Sequence, residues 1–270
     1  MSIQSFKPSV WETALITEFR GISVANLITT PPSKVEGEKA IFNKISGGTI
    51  KDYEGTVEYD TVSTTPIELI YNKKKYFAIT VEDADAVQAC ADVLQTTVRE
   101  KALDLKEVID GDVFAEAVAK CPSGNKIGTI SAKIDLNTKS AYDLVVDLGV
   151  KLSKKKVPKA NRFVLASSEV VQQMAKDPRF ARNYTVLENG IVQGATINGM
   201  TIVETEDLPA NVILCLHKSA LGKGEQLDEV EPLRLQNAFA DAVRGLLVYG
   251  IKDLRPNAIA MAYYEFKTAE

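Results

Sequence analysis

The sequence predicts an α+β protein, and three of its features carry that expectation. Residues 37–81 are rich in β-branched and aromatic side chains punctuated by turn formers. From Asp83 onward, apolar residues recur at helical spacing over many turns, and beyond residue 139 the two patterns alternate as in an α/β unit. With 270 residues, 45% hydrophobic and 25% charged, the chain can bury one large core or two modest ones without cross-links.

The first segment, 9–28, places Val10, Trp11, Leu15, Phe19 and Ile22 three and four residues apart behind Ser9 as N-cap, which predicts an amphipathic helix that Pro31-Pro32 ends. The single tryptophan therefore sits on a terminal element with no core beside it in sequence. Trp11, Leu15 and Phe19 are expected to bury against something distant or against another subunit. Next come strands at 40–45, 56–62, 67–71 and 76–81, with bends at Gly47-Gly48, 52–55 and Asn72-Lys73-Lys74-Lys75. They predict a long antiparallel ribbon with Tyr53 at its polar tip. A lone ribbon is marginal in water, so this one is expected to rest on its neighbours in an assembly.

Val87, Ala91, Leu94, Val98, Ala102, Leu105 and Ile109 then predict a helix over 83–109, about 40 Å long, followed by a second helical stretch over 112–121 that Pro122 stops. Glu82, Asp83 and Asp85 complement the dipole of its first turn. They do not make a calcium loop, because the twelfth position from Asp83 is Leu94. The remainder predicts helices at 139–152 and 168–176 and strands at 163–166, 194–197, 201–204 and 212–216. An apolar strip, 245–266, then returns to pack with the long helix.

Charge and composition exclude several functions. Lys plus Arg total 32 against 36 for Asp plus Glu, a net charge of -4, so any contact with nucleic acid must be local and weak. No apolar run is long enough to span a bilayer, and the sequon at Asn183 has no meaning without a secretory route. Cys90, Cys121 and Cys215 are odd in number and widely spaced, which points to a reducing compartment.

Chemistry is scarce. His217 is the only histidine, HExxH is absent, and a zinc site of Cys90, Cys121, Cys215 and His217 would lack the closely spaced chelating pair such sites contain. Residues 124–128 and 222–224 match neither a Walker loop nor a dinucleotide fingerprint. Glu225, Asp228, Glu229 and Glu231 read as a surface acidic loop. Two basic runs remain, Lys73 to Lys75 and the group Lys151, Lys154, Lys155, Lys156 and Lys159. Each is a solvated face, a partner for acids of a neighbouring subunit, or a contact for phosphate backbone. No catalytic residue, cofactor or metal ligand is expected.

The ordered set of segments resembles a tailed-bacteriophage major capsid protein of the Hong Kong 97-like fold, and the resemblance covers nearly the whole chain. It is carried by Pro8-Ser9-Val10-Trp11, Glu36-Gly37-Glu38-Lys39-Ala40-Ile41, and Phe77-Ala78-Ile79-Thr80-Val81-Glu82-Asp83-Ala84-Asp85. Further on it rests on Asn161-Arg162-Phe163-Val164-Leu165, on Ser168 with Asp177-Pro178-Arg179, on the run from Gly190 through Asn198-Gly199 to Val203 with Leu208-Pro209, and on Tyr249-Gly250-Ile251-Lys252. The domains it implies are an N-terminal arm (1–36), an extended β-ribbon loop (37–81), a peripheral domain with a spine helix (82–138), an α/β axial domain (139–244) and a C-terminal return strand (245–270).

The resemblance also implies a non-enzymatic coat protein without cofactor, assembling with itself as hexamers and pentamers into an icosahedral shell around double-stranded DNA. The expected location is the virion capsid, assembled in the cytoplasm of a bacterial host, with no membrane partner. Inter-subunit contacts are expected from Trp11, Leu15, Phe19, Tyr53, Lys73, Lys74 and Lys75. A start directly at the arm implies a separate scaffolding protein, beside a portal. Some relatives join subunits by a Lys–Asn isopeptide bond, for which Lys44, Lys51, Lys73, Asn257 and Glu265 are the residues to consider. Two alternatives stand beside this reading: an encapsulin-type nanocompartment shell, and an α/β enzyme over residues 139–254 with a dimerising ribbon.

Overall fold

The computed structural model describes residues 23–37, 39–46, 52–53, 55, 63–82, 91–180, 185–186, 191–234 and 240–267. Helix α1, Val24–Ile28, opens behind Ser23, whose backbone is extended and whose hydroxyl accepts from Asn26 N. An N-cap at this position interrupts the expected continuous helix over 9–28, so α1 is a separate short element; Trp11, Leu15 and Phe19 lie outside the described residues.

Strands β1 (Lys34–Glu36), β2 (Lys39–Ser46) and β3 (Ser63–Ile70) form an antiparallel three-stranded ribbon. The expected strand at 56–62 lies outside the described residues. The bend expected over Asn72 to Lys75 is a correction: only Tyr71 and Asn72 leave extended pairing, and strand β4, Lys73–Glu82, begins with the lysines. Instead of continuing the ribbon, β4 pairs antiparallel with the much later strand β13, Ala240–Asp253, with Lys73 opposite Tyr249. The other side of β13 pairs with β12, Leu221–Arg234. Glu225, Asp228, Glu229 and Glu231 therefore belong to a long strand, not to the expected acidic loop.

Helix α2, Ala91–Lys120, runs unbroken through Gly111, where two helices were expected. A single glycine costs a helix only about 1 kcal/mol. Here Ile109, Val113, Phe114 and Ala117 continue one fully buried face across it, which outweighs that cost. Pro122 ends the helix as expected.

The largest sheet is eight-stranded, in the order β5 (Lys126–Ile127), β14 (Ile259–Glu265), β11 (Val212–His217), β7 (Arg162–Ala166), β10 (Met200–Glu204), β9 (Ile191–Ile197) and β8 (Thr185–Val186); β6 (Ile134–Asp135) also pairs with β14. Strands β7, β11 and β14 carry continuous buried apolar runs, 163–166, 212–216 and 259–262, as strands covered on both faces do. Helices α3, Ala141–Lys154, and α4, Ser168–Ala175, contribute Leu144, Leu148, Leu152, Val170, Val171 and Met174 to that core. The expected apolar strip 245–266 is thus two strands in two sheets, and both reach α2 as expected: β13 from the sheet it shares with β4 and β12, and β14 from inside the large sheet. The break falls where Pro256 removes a backbone donor.

Candidate assembly interface

The ribbon is seated on its own chain by glycines. Ala40, Phe42, Leu69, Tyr71 and Val248 make a small core separate from the main one. A methyl placed on Gly222 would lie 2.5 Å from the Phe42 ring, and one on Gly224 would lie 2.7 Å from that of Tyr71. At Gly250 it would meet the carbonyl oxygen of Ile70 at 2.7 Å. Gly222 and Gly224, which matched no nucleotide motif, are therefore slots for ribbon side chains, and Gly250 is one for ribbon backbone. A bond from Thr30 N to Leu221 O, 2.9 Å, and one from Lys223 N to Thr30 O, 3.2 Å, tie the segment after α1 to the same strand.

Where α1 meets α2, the buried Asp110 carboxylate accepts from Ser23 Oγ (2.8 Å), Val24 N (2.9 Å) and Ala25 N (3.0 Å). It satisfies donors of the α1 N-terminus from a helix far along the chain. Burial raises its pKa, outweighing the opposing effect of these bonds. Nothing in the spacing of Asp110 marks this role, since the partners are distant in sequence.

Lys73 proves to be engaged within the subunit. Its Nζ lies 2.9 Å from Asp112 Oδ2, which also accepts from the Tyr249 hydroxyl at 2.5 Å, and the ammonium sits 6.0 Å from the Tyr249 ring centre. Burial works against the Asp112 charge, but the bonds from Tyr249 and Lys73 outweigh it and hold the carboxyl below the usual range. This node joins β4, β13 and α2. Lys74 and Lys75 are exposed farther along β4, and Tyr53 is 75% exposed, its hydroxyl 3.4 Å from Gly55 O. The structure thus brings Lys73, Lys74 and Lys75 together on one strand and leaves Tyr53 apart. Sequence reasoning missed Tyr76, 81% exposed on β4, and Ile70, 61% exposed at the end of β3. Among the described residues β3 and β4 are both edge strands, so on each one large exposed side chain, Ile70 or Tyr76, lies beside unpaired backbone groups.

The residues weighed for chemistry have structural surroundings. Cys215 is fully buried in β11, its thiol pushed up by burial, and burial pushes Cys121 up to about 11. His217 Nδ1 accepts from Ser219 N at 3.0 Å; burial first, then Arg255 and Arg162, lower its pKa. Cys90 lies outside the described residues, and among the described residues no group of three or more His, Cys, Asp or Glu could hold a metal. The Asn125 amide, within the glycine pattern considered for phosphate, donates to Ile259 O at 2.7 Å and Asn257 O at 3.1 Å, fastening that turn to β14. Among the described residues no helix is long and apolar enough to cross a membrane.

The fold is that of the Hong Kong 97-like capsid proteins, and similar solved structures are mostly tailed-phage capsids. A structure from Mycobacterium phage Che8 is 25% identical, covering 84% of each chain at a TM-score of 0.58. The capsid of Ralstonia phage GP4 is 10% identical, covering 90% of this chain and 89% of its own at 0.66. The holo-SrpI encapsulin complex from Synechococcus elongatus PCC 7942 is 14% identical, covering 93% and 92% at 0.58. No family model matches the chain, and no curated protein matches it. The likeness to phage capsids, with some encapsulins and virus-like particles among them, supports a structural capsid-shell role and implies self-assembly.

Proposed function

We propose that the chain is a tailed-phage major capsid protein that assembles through hexamers and pentamers into an icosahedral shell around double-stranded DNA. In this reading the arm is 1–36, the ribbon loop 37–81, the peripheral domain 82–138, the axial domain 139–244 and the return strand 245–270. A separate scaffolding protein and a portal act as partners, and assembly takes place in the host cytoplasm. The carrying observation is the ribbon with the edge strand beside it: the ribbon base fits glycine slots on β12 and β13, while Tyr53, Ile70 and, on β4, Tyr76 stay exposed, as a subunit needs if a neighbour is to cover them. Trp11, Leu15, Phe19 and Tyr53, with Lys74 and Lys75, supply contacts between subunits; Lys73 serves first within its own.

Negative-stain microscopy of the expressed protein tests this reading. Closed particles are expected, and deletion of residues 49–57 should leave a folded subunit that forms few or none. Trp11 fluorescence should shift to the blue on assembly, and an unchanged spectrum in verified shells would remove the arm from the interface. The encapsulin-like neighbours favour one second reading, a shell around a protein cargo. Particles that repeatedly co-purify with one enzyme, and never hold DNA when made in an infected host, would decide for it.

A further inference from the structure

An open groove of about 560 Å³ runs between the C-terminal turns of α3 and the turn at 123–127. Its lining contains Lys126, Lys151, Lys154 and Lys155 and a single acid, Asp147. Asp147 is already bonded to Lys139 at 2.6 Å, and among the described residues Lys126, Lys154 and Lys155 have no carboxylate partner. The α3 C-terminus would ordinarily place partial negative charge here. Its last carbonyls are occupied, however: Leu152 O accepts from Val157 N, Ser153 O from Lys156 N and Lys151 O from Lys155 N. Beneath the same helix end lies Arg162, 1% exposed, donating to Pro158 O, Val157 O, Gly149 O and Ser153 Oγ, with no ion pair among the described residues. In a chain of net charge -4 this is a local concentration of positive charge on a floor anchored by Asn125.

We infer that this groove is a binding site for the phosphate backbone of duplex nucleic acid; the inference rests on the proposed genome-enclosing function and gives that weak contact a location. The side chains favour phosphate over an acidic protein segment. Protein interfaces are depleted in lysine and centred on aromatic or arginine anchors, whereas this groove has lysines, Val150 and Ile127 and no aromatic residue. Lysines acting as point charges, without planar base readout, suit contact that ignores sequence.

The test is fluorescence anisotropy of a short labelled DNA duplex with the full-length, unassembled chain across a salt series. Replacing Lys126, Lys151, Lys154 and Lys155 by Gln should weaken binding about tenfold or more at low salt and reduce the salt slope by about 3 to 4. The double variant Lys154→Gln with Lys155→Gln, whose side chains are exposed, guards against misfolding and should reduce the slope by about 2. Unchanged binding overturns the inference. So does equal weakening in a control with Lys34, Lys101, Lys176 and Lys267 replaced by Gln, which would reveal only a net-charge effect. Polyglutamate that competes as well as unlabelled duplex at equal charge would assign the groove to an acidic protein instead. Shell formation, scored separately by microscopy, should persist in the groove variants; absent wild-type shells would sink the container reading while leaving the duplex titration interpretable.

Discussion

The sheet around β7 and the ribbon around β2 are both β-structures closed by apolar contacts, and they solve opposite problems. In the large sheet, β7, β11 and β14 are buried on both faces, and each deeply buried Leu or Val contributes about 1.5–3 kcal/mol. Even a cation is enclosed there, Arg162, held by carbonyl groups instead of a carboxylate. The ribbon has only the small cluster of Ala40, Phe42, Leu69, Tyr71 and Val248, and its position is set by absent side chains at Gly222, Gly224 and Gly250. One region is stable through the volume of its core. The other is positioned by shape at its base and leaves apolar surface for a partner. A subunit that must keep its own fold while presenting a surface for exchange needs both.

The difference can be broken most forcefully at Arg162. Replacement by Leu leaves the Val157 and Pro158 carbonyls without their donor inside the structure, and a loss of about 3–5 kcal/mol is expected in urea unfolding. A loss below about 1 kcal/mol would mean that water readily replaces the guanidinium. Next in size is Gly250→Val. It drives a side chain into the Ile70 carbonyl and Leu69, should cost about 2–3 kcal/mol, and should make residues 39–46 and 63–70 newly sensitive to protease while the large sheet stays protected. Uniform protection would show that the ribbon is not seated by that glycine.

Two smaller changes sharpen the contrast by raising stability. Lys156 holds φ 56 as the left-handed residue closing α3, with Val157 and Leu152 buried across the cap. Lys156→Gly should add about 1 kcal/mol to the sheet region. Among the described residues Tyr71 buries a hydroxyl with no hydrogen-bond partner, so Tyr71→Phe should gain about 0.5 kcal/mol at the ribbon base. A clear loss on Tyr71→Phe would reveal a bond formed by that hydroxyl only in the assembled shell.

Much of the element order was legible in the chain. The spacing of Val98, Ala102, Leu105 and Ile109 marks a helical face, and the apolar runs of β7 and β11 mark buried strands, because these patterns repeat within a few residues. The Asn198-Gly199 pair joining β9 to β10, with φ 52 and 74, is a hairpin signal of the same local kind, although the expected strands were placed without it. The interface was less legible. Lys73 to Lys75 look like a polar turn until β13 arrives to pair with them, and residues 225–231 look like a solvated loop until β12 is paired along its length.

By itself the sequence determined the α+β class, the two helical stretches that α2 joins, the alternating second half and the lack of a close-spaced metal or nucleotide motif, all of which follow from local periodicity and residue type. Tertiary structure alone decided that β4 leaves the ribbon, that Gly222, Gly224 and Gly250 are slots, that Asp110 caps α1, and that Lys126 joins the lysines of α3 around one groove. Each of these depends on which distant residues share a volume. A pleat period or a helical stripe says which face is apolar, but the same face can be covered by many partners, and only packing selects one.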